Sequence, residues 1–294
     1  MEGQLQITPV AAESMGSRSM ATFVETGDVK LLIDPGANVG SFRYGFSPHP
    51  LETWCMKKHR ERIQLYADTA DVIVITHYHF DHFIPDLADM YRGKILLVKD
   101  PNKNINLKQR KRAFAFLKSL HKRPSEVRYA DGKEYDFEQT RLTFSRSVPH
   151  GGNNLKGYVV ELAVQKAERK FLFSSDVQGP CHDASLEFIL EQSPDTLYLD
   201  GPVTYLQETQ DFQESLDRTL QRLYSIIEKT KLVSMIIDHH LLRDIDWREK
   251  IDPLYKIASR KSIAIQTAAE YRGDENNLLE ARRNQLYEND QTQQ

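Results

Sequence analysis

Cysteine is nearly absent from this chain: Cys55 and Cys181 are the only two among 294 residues. Two thiols cannot build a disulfide framework, and such sparing use suits a reducing compartment. No apolar run approaches the roughly 20 residues that cross a bilayer, so no membrane contact is expected. The start, Met1-Glu2-Gly3-Gln4, also lacks the basic segment and apolar run of a secretory leader. A cytoplasmic protein is the expectation. An excess of one charge is missing too: 39 Lys and Arg stand against 42 Asp and Glu, a formal net charge of -3. Nucleic-acid binding by bulk charge is thereby excluded, and only a local patch could serve it. The 40% hydrophobic and 28% charged residues are ordinary for a globular protein, with length enough for a sizeable core. One domain over 1–294 is expected, ending in a frayed polar tail at 288–294.

What the chain does have is a dense knot of histidine. Thr76-His77-Tyr78-His79-Phe80-Asp81-His82 follows directly on Val72-Ile73-Val74-Ile75. The β-branched run reads as a strand buried on both faces. His77 and His79, two apart at its end, can project toward one ion, while Asp81 and His82 reach a second. Imidazole suits zinc, iron and manganese, and an added carboxylate suits a hydrolytic site rather than a closed structural one.

The string HYHFDH fits HxHxDH, and here the chain resembles the metallo-β-lactamase superfamily. Four further stations follow the family's order: LLIDPG with Asp34 at its strand end, SVPHGG with His150, FLFSSD with Asp176, and MIIDHH with His239 and His240. Together with SRSMATFVET, FRYGFSPHP and IIDHHLLRD, they resemble an archaeal branch of predicted metal-dependent hydrolases without an assigned substrate. The resemblance spans about Thr22 to His240 and implies an α/β fold, the αββα sandwich, in which two mixed sheets pack face to face between helices. It further implies His77, His79 and His150 on one metal, Asp81, His82 and His239 on the other, and Asp176 between them. Asp34 would orient the metal histidines from behind, or simply serve the turn at Pro35-Gly36. Asp81 would also orient the bridging water. In a strand, neighbouring residues point to opposite faces, so His240 is expected behind His239 or protonating a leaving group.

Elsewhere the punctuation is conventional. Strands are expected at Leu5 to Val10, Ala21 to Glu25, Val29 to Ile33 and Ile95 to Val98, and a helix at Leu51 to Tyr66. Helices are also expected from Phe83 to Met90, along Phe212, Leu216, Leu220, Leu223 and Ile227, and at Asn276 to Tyr287. Tyr158 to Val164 should pair with Lys170 to Phe173. Arg43 and His49, in the Gly- and Pro-rich loop before the first helix, are candidates for binding an anionic substrate. The segment 102–123 carries Lys103, Lys108, Arg110, Lys111, Arg112, Lys118, Lys122 and Arg123 without one acidic residue. It reads as an amphipathic helix. Its charge either faces phosphate or, as with most charge runs, is balanced by acidic neighbours in solvent.

Two divalent ions, zinc or else manganese or iron, would share a water and yield a hydroxide nucleophile at neutral pH. The absence of thiolates, and His79 where diiron relatives carry Glu, favour hydrolysis over redox chemistry. A phosphodiester, in a small molecule or a nucleic acid, is the expected substrate. Ester, thioester or lactone hydrolysis is the alternative, and non-catalytic metal-dependent RNA binding the alternative of another class.

Overall fold

The computed structural model describes residues 5–121, 123–152, 154–206 and 210–292. Met1 to Gln4, Lys122 of the basic segment, the side chain of Phe212, and the last two residues of the expected tail lie outside that description. The first sheet follows chain order: β1 (Leu5–Pro9), β2 (Thr22–Thr26), β3 (Lys30–Ile33), β4 (Val72–Ile75), β5 (Ile95–Val98) and β6 (Glu126–Tyr129). Its first three strands are antiparallel, and β3 to β6 run parallel. Next come β7 (Glu134–Phe137) and β8 (Thr140–Phe144), then a short ribbon of β9 (Val148–Pro149) and β10 (Tyr158–Val159). The chain continues through β11 (Leu162–Lys166), β12 (Arg169–Phe173), β13 (Thr196–Asp200), β14 (Ser234–Asp238) and β15 (Ala264–Gln266). Without the ribbon these form a mixed second sheet of order β15-β14-β13-β12-β11-β8-β7.

Alternation along the strands builds three apolar layers. Leu31, Ile33, Val72 and Val74 of the first sheet meet Leu162, Val164, Phe171 and Phe173 of the second in a shared core. Their neighbours Leu32, Ile73 and Ile75 point the other way, onto Ile63 and Ala67 of α1 (Pro50–Thr69) and Ala113 and Phe116 of α2 (Leu107–Ser119). On the far side, Leu172, Leu197 and Met235 pack on Phe188 of α3 (Asp183–Gln192) and Leu220 and Leu223 of α4 (Gln210–Lys229). Helix, sheet, sheet, helix is the resulting order. Each buried Val, Leu or Ile contributes roughly 1.5–3 kcal/mol relative to exposure. Four shorter helices finish the chain: α5 (Trp247–Lys250), α6 (Asp252–Arg260), α7 (Ala268–Tyr271) and α8 (Arg283–Thr292).

Several expected elements differ. No α-helix forms at Phe83 to Met90; turns lead to a single 3-10 turn at Ala88–Tyr91. The chain there is pressed against the backbone at Gly36, where a Cβ would meet the Phe83 nitrogen at 2.3 Å. Tyr158 and Val159 pair with Pro149 and Val148 instead of continuing the hairpin, which runs only from Leu162 to Phe173. The last helix starts at Arg283, later than expected, and extends through Thr292, so the polar tail is helical where described. Tyr287 stacks on Phe46 at 4.7 Å, and Asp290 pairs with His49 at 2.9 Å, which gives that helix something to dock on.

The docking is completed by Arg283, fully buried, whose guanidinium makes two 2.7 Å bonds to Glu52 of α1. It also donates to the carbonyls of Gly40 and Phe46 at 2.8 and 3.2 Å. Removing one member of such a buried pair leaves an uncompensated charge. Arg283→Ala is therefore expected to lower unfolding free energy by about 3–5 kcal/mol, read from the urea midpoint; a loss within surface-substitution range, about 0.5 kcal/mol, would contradict this.

Candidate metal centre

The chemistry-bearing residues stand at the C-terminal ends of strands from both sheets, where the loops open. Asp34 follows β3, the histidine turn follows β4, Asp176 follows β12, Asp200 closes β13, and His239 follows β14. Three of these exits pass through left-handed backbone, at Asp34 (φ 47), Ser175 (φ 56) and His239 (φ 62). Such conformations cost non-glycine residues energy and persist where the surroundings impose them. At Gly151 the backbone is left-handed (φ 69), which favours glycine, and a Cβ there would push the end of the Gln178 side chain aside.

The side chains meet in two groups around one carboxylate. His77, His79, His150 and Asp176 form the first, and Asp81, His82 and His239 the second, with donor atoms in each within 4.8 Å of one another. Asp176 lies 3.0 Å from His150 Nε2, 3.6 Å from His77 Nε2, 2.9 Å from His82 Nε2 and 3.5 Å from His239 Nε2. His77 Nε2 and His79 Nδ1 face each other at 3.0 Å. All seven are buried or nearly so.

Other groups hold the rings from behind, which fixes their orientation. Asp34 Oδ2 lies 2.7 Å from His82 Nδ1 and accepts from the Thr76 hydroxyl at 2.6 Å, while its Oδ1 accepts from the Thr76 N–H at 2.7 Å. His77 Nδ1 sits 3.2 Å from Thr76 Oγ1 and 3.3 Å from Ser175 Oγ. Gln109 reaches from α2 to within 3.4 Å of His79 Nε2. Glu13 approaches His239 Nδ1 at 3.4 Å, and Asp200 holds His240 Nδ1 at 3.0 Å.

Whether this constellation fits metal ions is answered by its polar atoms. His82 Nε2, His150 Nδ1 and Asp176 Oδ1 are buried with no hydrogen-bond partner, a state that buried polar groups avoid. His82 Nε2 and Asp176 Oδ1 stand 2.9 Å apart without hydrogen-bond alignment, as donors aimed at a common point do. Burial pushes the pKa of His79 down to about 3 and of His239 down to about 4, leaving neutral rings with a lone pair for a cation. Burial also opposes charge on Asp176, but His82, His239 and His77 outweigh it and keep the carboxylate well below its usual range. The first group fits an ion with its own donors. At the second, Arg243 Nη2 stands 3.1 Å from His239 Nε2, so the guanidinium must turn aside for that nitrogen to ligate.

No protein-family model matches the chain. A UPF0282 protein of Korarchaeum cryptofilum is 41% identical over 285 residues, 97% of this chain and 95% of that protein. The chain belongs to the UPF0282 family. Among solved structures it is similar to YhfI of Bacillus subtilis, a metallo-β-lactamase fold protein, with TM-score 0.54 and 12% identity over 90% of this chain and 95% of that one. It is also similar to Igni18, a metallo hydrolase of Ignicoccus hospitalis, with TM-score 0.50 and 14% identity over 90% and 94%. At such identities the likeness concerns the fold alone: this UPF0282 chain has the metallo-β-lactamase fold. Among the described residues no helix is long and apolar enough to cross a membrane.

In this UPF0282 chain the expected residues fare unequally. His77, His79, Asp81, His82, His150, Asp176 and His239 are brought together, with Asp34 behind His82. His240 departs from strand alternation: β14 ends at Asp238, and the left-handed turn at His239 brings both rings to the same side, 4.6 Å apart. A further grouping of Asp176, His239 and His240 results. His49 is corrected. It caps α1, its Nδ1 accepting from Leu51 N–H and its Nε2 lying 2.9 Å from Asp290, so neither nitrogen is left for a substrate. Arg43 is clamped between the rings of Tyr44 and Tyr205 at 4.7 and 4.6 Å and donates to the Arg243 carbonyl, leaving only a buried Nε without a partner. Glu13, Gln109 and Arg243 were missed. Arg243 lay in the quoted IIDHHLLRD, but Glu13 and Gln109 carry no local pattern and reach the centre only through folding.

Asp34→Asn is expected to weaken zinc binding about 10–100-fold, measured by competition with a chromophoric chelator; unchanged affinity would remove Asp34 from the centre. His49→Ala should instead cost about 1 kcal/mol of stability and leave zinc affinity as it was, and weakened zinc binding would restore His49 to the site.

Proposed function

We propose that this protein is a hydrolase that holds two divalent ions, zinc or in its place manganese or iron, and cleaves a phosphodiester. The observation that supports this best is Asp176, one buried carboxylate within 3.6 Å of imidazoles from both groups. His77, His79 and His150 would hold one ion, and Asp81, His82 and His239 the other, with Asp176 between. Bound there, such ions lower the pKa of water toward neutrality and offset charge that grows in the transition state.

The chain's own groups supply the rest. Asp81 stands 3.7 Å from His239 Nε2 and would orient the attacking water as well as ligate. Burial raises Asp200 well above its ordinary value and pushes His240 well below its own, and the two face each other across 3.0 Å. Nε2 of His240 is the atom left to pass a proton to a leaving oxygen. Burial opposes the charge on Arg243, but Glu13, bonded at 3.0 Å, outweighs it and keeps the guanidinium protonated beside His239. A cavity of about 260 Å3 opens beside His150 and is lined by Lys156, Cys181, Val203 and Leu216 among others. Burial raises the Cys181 thiol to about 11, so it offers no thiolate. Two cations at the centre suit a phosphoryl group, whose negative oxygens a neutral ester lacks.

The apolar walls of that cavity favour the second reading, hydrolysis of an ester, thioester or lactone. Metal-dependent RNA binding without catalysis has less support, because binding alone does not call for seven convergent ligands. The test is hydrolysis of bis(p-nitrophenyl) phosphate by protein reconstituted with zinc or manganese, with His79→Ala as the blank. Turnover that disappears in the variant is expected; its absence in fully loaded protein, with turnover of a thioester or lactone, would replace the phosphodiester reading by the second one.

A further inference from the structure

The basic segment 102–123 does not behave as a balanced, solvated face. Lys103 and Arg123 have carboxylate neighbours, Asp100 at 4.0 Å and Asp89 at 3.0 Å. Among the described residues, Lys108, Arg110, Lys111, Arg112 and Lys118 of α2 make no ion pair, on a chain whose net charge is -3. Like charges three and four apart on a helix repel, so this face carries a cost that an external anion would relieve. Two of the cations lie over exposed aromatic rings: Arg112 over Phe80 at 4.3 Å and Arg110 over Phe114 at 5.6 Å. Phe80 is 37% exposed and Phe114 46%, each too open to be core.

The helix is also bolted to the centre. Gln109 lies 3.4 Å from His79 Nε2 and donates to the Lys156 carbonyl at 2.8 Å, and Arg112 donates to the Tyr78 carbonyl at 3.3 Å. Phe80 itself stands between His79 and Asp81 in the histidine turn. Beside the start of α2, a groove lined by Leu107, Lys108 and Leu155 runs along the same loop that carries Lys156 to the cavity at His150.

We infer that the outer face of α2, with the Arg112–Phe80 pair, is a track that docks single-stranded nucleic acid and leads it to the metal centre. The inference rests on the phosphodiester reading for what happens at the centre, but the track itself concerns binding. Unpaired cations answer to phosphates, and exposed rings beside them answer to unstacked bases, which a single strand offers and a duplex conceals. With 13 residues, α2 is about 20 Å long at 1.5 Å per residue, enough for several nucleotides.

The test is anisotropy of a labelled 12-nucleotide single-stranded RNA, titrated with the intact protein at several salt concentrations beside a duplex of equal length. Lys108→Gln/Lys111→Gln/Lys118→Gln should weaken binding of the single strand at least about tenfold and reduce the log–log salt slope by about 2, at roughly 0.7 per lost contact. Phe114→Ala should weaken it about fivefold or more with the slope kept. Both variants should hydrolyse bis(p-nitrophenyl) phosphate like the parent, since none of these residues touches the centre. Unchanged RNA affinity in the triple variant, or a duplex bound more tightly than the single strand, would overturn the track. Weakened RNA binding with no phosphodiester turnover in any of the proteins would keep the track and discard the phosphodiester reading.

Discussion

Asp176 is a carboxylate buried to within 1% of full enclosure, with four imidazoles around it and one oxygen lacking any hydrogen bond. A buried anion of this kind is costly unless positive charge meets it. Within the protein the opposing charge falls on His82, where burial resists protonation but Asp176 and Asp34 together outweigh it and hold the ring well above its ordinary value. Such a proton is released when a cation takes its place. The arrangement therefore favours cations, and most of the neighbouring structure serves to keep these groups close.

The sandwich makes that closeness attainable. The imidazoles of the histidine turn belong to the first sheet, and Asp176, Asp200 and His239 to the second. Packing such as that of Leu31, Val72 and Val74 against Val164, Phe171 and Phe173 brings the two sets of strand ends face to face. Thr76 Oγ1 and Ser175 Oγ, one from each sheet, close the join at 2.6 Å. Left-handed backbone at Asp34, Ser175 and His239 then turns each strand exit inward. A tightly packed interior can impose such strain, because it deforms little.

How much of this could be read in advance follows from how local each signal is. The histidine turn and the strands around it announce themselves through β-branched runs and ligand spacing, and Asp34, His150, Asp176 and His239 follow from the order of the family's stations. For His240 the argument from strand alternation does not hold, because it assumes the strand continues, whereas β14 stops at Asp238. His49 looked like a loop histidine free for substrate because its partner, Asp290, lies 241 residues away. The helix expected at Phe83 failed because the chain there is pressed against the backbone at Gly36, a contact across the fold that no local pattern marks. Glu13 and Gln109 illustrate the limit: each touches a metal-site ring from a distant element, and no periodicity marks it.

Asp176 is proposed to serve two ions at once. The most direct measurement is metal content by mass spectrometry of protein reconstituted with zinc, taken for the parent and for Asp176→Ala side by side. Two ions per chain in the parent, falling to one or none in the variant, is the predicted result. Two ions retained by Asp176→Ala would contradict the shared carboxylate. A single ion in the parent would contradict the second group of donors and assign its place to Arg243.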